Sequence, residues 1–104
     1  MKIDEAYSGD QYKVLHLRVP AGGVVPEHFA TSDAFVIVHR GSAELEFANS
    51  KLVLQPGMGF LIPDGKPHSL KVREEFEAYV VIGSAAGIEM AGPVAAASGS
   101  SVQA

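Results

Sequence analysis

The sequence predicts an all-β domain, a sandwich or barrel of short antiparallel strands. Three observations carry this: apolar and polar residues alternate with a period of two through most of the chain, glycine and proline interrupt that alternation at regular intervals, and no segment has a convincing helical period. About eight strands fit into roughly eighty residues at this spacing, the even rhythm of all-β architectures.

The segments follow in order. Leu15, Leu17 and Val19 alternate with Val14, His16 and Arg18, so one face is set to be buried and the other wet. Pro20-Ala21-Gly22-Gly23 then supplies a turn. Ala34, Val36 and Val38 share the buried face of the next clear strand, and Arg40-Gly41 is expected to end it in a turn. Gly41 and Gly57 bracket a short hairpin in which Ala43, Leu45 and Phe47 alternate with Ser42, Glu44 and Glu46, with turns at Asn49-Ser50 and Pro56-Gly57. Pro63-Asp64-Gly65 is a tight turn that delivers a strand with His68, Leu70 and Val72 on one face. Arg73, Glu74, Glu75 and Glu77 are expected as a solvated turn before Phe76, Ala78, Val80 and Ile82 form the inward face of the last strand. Phe35, Phe47, Phe60 and Phe76 are spaced for a β core.

Residues 1–83 are therefore assigned to one β domain, and 84–104, rich in Ala, Ser and Gly with Glu89 as the one charge, to a C-terminal tail. The alternative for the tail is that Ile88, Met90 and Val94 dock as an edge strand or a dimer contact.

Composition narrows the function classes. The 104 residues are 47% hydrophobic and 19% charged, enough apolar surface to offset the entropy of ordering one domain. With 8 Lys+Arg against 12 Asp+Glu and a formal charge of −4, there is no basic footprint for nucleic acid or for an anionic membrane surface. The absence of cysteine removes disulfide scaffolds, thiolate metal sites and thiol nucleophiles. The first twenty residues interleave charged and apolar side chains, unlike a secretory signal, and no run reaches the ~18 apolar residues of a membrane span. A cytoplasmic location is expected.

Two stretches carry the chemistry, residues 22–41 (GGVVPEHFATSDAFVIVHRG) and 57–68 (GMGFLIPDGKPH). Gly22, His28 and Gly41 in the first, and Gly57, Pro63, Gly65 and His68 in the second, stand at the spacing of the two signature motifs of the cupin superfamily, which the chain resembles over residues 14–82. The resemblance implies a cupin-type jelly-roll β-barrel of two antiparallel sheets, often dimeric, with His28 facing His68 across an interior that in many members holds a metal. The family's second histidine and its glutamate are replaced by Ala30 and Ala34, and its final asparagine by Val72.

Two neutral imidazoles in a concave apolar interior form part of a site for one divalent transition metal, Zn, Fe, Ni, Mn or Cu. They fall short of the three protein ligands of catalytic zinc or of the iron facial triad. Asp33 is the candidate third ligand, one position before the lost glutamate. Alternation turns it to the opposite face unless a bulge re-aims it, and its other reading is a turn-capping aspartate. Glu27, beside His28, is treated alike. His16 and His39 fall on the outward face. The sequence thus leads to a small-molecule-binding domain at His28 and His68, with a metalloenzyme of the dioxygenase, isomerase or decarboxylase kind as the alternative, in which a metal on His28, His68 and Asp33 polarises the substrate. A homodimer is expected because a β domain of this size gains stability by association.

Overall fold

The computed structural model describes residues 1–91; Val94 and the rest of 92–104 lie outside the described residues. It contains eight strands: β1 (Lys2–Ser8), β2 (Tyr12–Val19), β3 (Val24–Ala30), β4 (Ala34–Glu46), β5 (Lys51–Leu54), β6 (Gly59–Ile62), β7 (His68–Gly83) and β8 (Ile88–Met90). All pair antiparallel, along the path β1-β2-β7-β3-β8, with β4 on the other side of β7 and carrying β5 and β6. No helix among the described residues is long and apolar enough to cross a membrane.

The two long strands shape the molecule. The C-terminal half of β7 pairs with β2 and with Phe35–Arg40 of β4; its N-terminal half pairs with β3 and with Ser42–Glu46 of β4. Between these halves the β4–β7 register slips three times, from Val38 to Ala43, and Gly41 takes a φ of +80°. Accumulated bulges bend a sheet, and here they fold it into two leaves, β1-β2-β7-β4-β6 and β8-β3-β7-β4-β5. The expected jelly-roll β-barrel of two antiparallel sheets holds as an all-β, jelly-roll-like fold and is corrected in its closure. One continuous sheet curls into an open half-barrel, in keeping with a cupin jelly-roll, and its two leaves stay joined through β4 and β7.

The same bend corrects two expected turns. Arg40-Gly41 and Arg73-Glu74-Glu75 do not end strands; both lie inside strands that continue, at the fold line. Their glycine and charges read locally as turn chemistry because a bulge on a solvated edge uses the same residues.

The alternating apolar positions meet between the leaves. Leu15, Val36, Phe76 and Ile82 from one leaf pack with Val25, Leu45, Leu54 and Leu70 from the other in a single core cluster. Phe76, Leu54, Val19 and Val38 are its largest fully enclosed side chains. Phe35 is a further correction: it lies on the outer face beside Ile37 and opposite Leu61, exposed, its ring over Gly59. Parity decides this, since Ala34 and Val36 on either side of it point inward.

The sheet continues past residue 83. β8 adds to the free side of β3, with Ala30 opposite Ile88 and His28 opposite Met90. Hydrogen bonds hold the connection. Thr31 N donates to Gly87 O at 3.0 Å, Gly87 N donates to Thr31 Oγ1 at 2.9 Å, and Gly83 N donates to Ser32 Oγ at 2.9 Å.

Candidate functional site

His28 owes its direction to a bulge. Val25 faces inward, and strict alternation would then turn His28 outward; the β3–β7 register slips between Val25 and His28, at Pro26-Glu27, and restores the inward face for His28 and Ala30. Proline suits this position because a bulge leaves an N–H without a ladder partner. His68 opens β7 directly after the Pro63-Asp64-Gly65 turn and is the cross-strand partner of His28.

That turn is anchored to the end of β3 and to the β3–β4 connection. Gly65 N donates to Ala30 O at 2.9 Å, and Asp64 N donates to Asp33 Oδ1 at 2.9 Å. Asp33 is thus the turn-capping aspartate of the two readings. It is exposed, with its carboxylate occupied at the turn, and the structure does not bring it to the histidines. Among the described residues no three His, Asp or Glu side chains are placed to hold a metal ion together. Glu27 is exposed as well. His16 and His39 lie on the outer face, where His16 Nε2 meets Glu77 Oε1 at 3.1 Å and stacks on Tyr79.

The two rings that do converge lie 4.3 Å apart, centre to centre, inclined at 64°. Each is tied to the backbone two residues before it: His28 Nδ1 to Pro26 O at 2.8 Å and His68 Nδ1 to Lys66 O at 2.9 Å. A carbonyl only accepts, so both Nδ1 atoms carry the hydrogen. In the neutral rings Nε2 is then a bare acceptor, and neither Nε2 has a hydrogen-bond partner among the described residues. His68 is buried, and loss of solvent pushes its imidazole below the ordinary range, helped by the neighbouring His28 and opposed by the bond to Lys66 O. Phe47 flanks it at 6.1 Å, with Lys66 Nζ 4.3 Å above the Phe47 ring.

This lowered basicity has a consequence for stability. A His68 held neutral in the fold contributes stability that is complete above the unfolded imidazole value of about 6.5 and is lost as pH falls from there through the lower folded value. Urea denaturation at stepped pH should show that loss, and His68→Leu should flatten it; an unchanged slope in the variant would assign the pH dependence elsewhere.

Both imidazoles line a cavity of about 340 Å³ between the leaves, and among the described residues all other side chains lining it are apolar. Ala30 and Ala34 contribute methyl groups where larger ligating side chains stand in the motif that the sequence resembles. At the rim are Met1 and Ile3 from the N-terminal strand and Ile88 and Met90 from β8, all exposed. These rim residues escaped the motif reading. The apolar spacing of Ile88 and Met90 was the available signal, and pairing with β3 makes them part of the site.

An antiparallel sheet curled around an apolar cavity, with two inward histidines on adjacent strands, defines the class as an all-β half-barrel with a His–His contact inside it. The chain belongs to the cupin family: the family model described as a Cupin domain matches residues 15–82. No curated protein sequence matches it significantly. Among solved structures, the fold is similar to a cupin-2 domain containing protein from Shewanella frigidimarina (TM-score 0.70, 20% identity, 79% of each chain covered). It is also similar to the polyketide cyclase RemF from Streptomyces resistomycificus (TM-score 0.75, 20% identity, 85% of this chain and 68% of that one) and to KdgF from a Halomonas species (TM-score 0.72, 19% identity, 79% and 78%). At these identities the likeness is one of fold.

Proposed function

We propose that this cupin domain binds one small, largely apolar molecule in the cavity between its leaves, at His28 and His68. The carrying observation is the cavity: about 340 Å³, within the range of small-molecule sites, apolar throughout except for one pair of imidazoles. Apolar walls supply affinity through removal of surface from water, and the two polar groups supply orientation. The metalloenzyme alternative needs a third protein ligand. The nearest sequence candidate, Asp33, caps a turn instead, so a metal here would rest on two imidazoles with water or ligand completing its shell.

Titration with 1-naphthol, followed by NMR of the imidazole rings, tests this reading. The chain has four histidines. Saturable shifts of His28 and His68 at one naphthol per chain, with His16 and His39 unmoved, are expected. No saturable shift, or shifts confined to the outer pair, would overturn it.

A further inference from the structure

We infer that the cavity selects its ligand by a donated hydrogen: the ligand is a ring-sized apolar molecule bearing a hydroxyl or N–H that Nε2 of His68 or His28 accepts, with no metal ion between. This rests on the cavity being the binding site, as proposed above.

Backbone anchoring at Pro26 O and Lys66 O sets both rings in the Nδ1–H form, so the edges left for the cavity are lone pairs. Among the described residues no lining side chain answers them, because the remainder of the wall is apolar. Acceptors in such surroundings favour whatever brings a donor and disfavour another acceptor. A ligand hydroxyl meets one lone pair, and a second donor or a cavity water meets the other. An ether oxygen in the same place opposes lone pair to lone pair. A carboxylate does the same with a full charge in an apolar wall, which is costlier.

The two alanines point the same way. Ala30 and Ala34 place methyl groups on the cavity wall with the histidines, which leaves the cavity wider at those two positions and a metal short of protein ligands. Size sets the rest of the ligand. A cavity of about 340 Å³ is roughly twice the ~150 Å³ that holds one benzene, suiting one ring with a short substituent or two fused rings.

The test compares 1-naphthol with 1-methoxynaphthalene on chelator-treated protein at about pH 7.5. A single hydrogen bond predicts that naphthol binds roughly five- to tenfold more tightly. This preference should be unchanged by added zinc and should shrink to near parity when His28→Phe and His68→Phe are combined. Equal binding of the two naphthalenes by the native protein would overturn the inference while leaving the cavity reading in place. Failure of both to bind would remove the cavity reading itself. Naphthol binding that appears only after zinc is added would overturn the inference in favour of metal-borne recognition. Should the combined variant not fold, nitrogen NMR of the native imidazoles decides: protonated Nδ1 and bare Nε2 in His28 and His68 are required, and the opposite tautomer in both rings would overturn it.

Discussion

Gly41→Ala is expected to cost the domain at least about 3 kcal/mol of stability, enough to leave much of it insoluble, whereas Gly57→Ala costs only about 1–2 kcal/mol. Both glycines have positive φ, +80° and +91°, so both variants incur the left-handed penalty of a Cβ. They differ in surroundings. A Cβ on Gly41 would be driven into the backbone carbonyl of Glu75 on β7, while a Cβ on Gly57 meets nothing within 4 Å. The obstacle at Gly41 is main chain at the fold line, and it cannot swing aside as a side-chain tip would. Urea unfolding of both variants measures the difference, and equal losses would show that the close approach of β4 and β7 is not what requires glycine there.

Ala30→His combined with Ala34→Glu is expected to turn the cavity into a tight divalent-metal site. The two positions line the same cavity as His28 and His68, and the double change supplies four side-chain ligands where the native chain offers two. Each native imidazole already donates Nδ1–H to a backbone carbonyl, the support that orients metal-bound histidines. Zinc affinity should rise by more than the ~10–100-fold that such a supporting contact alone is worth, and one zinc per chain should survive chelator washing. The same variant should lose naphthol binding as side chains fill the cavity. Zinc stripped from the double variant as easily as from the native protein would mean that positions 30 and 34 do not converge on the histidines.

The core faces and the inward side of His68 were legible from residue spacing because alternation and turn chemistry act locally. Leu15, Val36, Leu70 and Phe76 are buried where period two puts them. The inward direction of His28 could be drawn from the family resemblance but not from alternation, since the bulge at Pro26-Glu27 that re-aims it depends on pairing with a strand some forty residues away. The same holds for Gly41 and Glu74-Glu75. Glycine and charge mark a change of direction, and only the opposing strand decides between a turn and a bend. β8 was the hardest to see, because Ile88–Met90 has little to bury by itself and gains its place from β3 and from the Thr31–Gly87 hydrogen bonds.

The two strands at the rim of the cavity are also the two ends of the sheet path. Among the described residues β1 is bonded only to β2, and β8 only to β3. Strands with a single neighbour separate more readily than those paired on both sides, at a free energy well below that of global unfolding. The cavity is thus flanked at β1 and β8 by strands held from one side, as β5 and β6 also are. On the proposed reading of the cavity, residence time would follow the fraying of β1 and β8, and a change that stiffens either edge would slow entry and release together while leaving the equilibrium affinity almost unaltered.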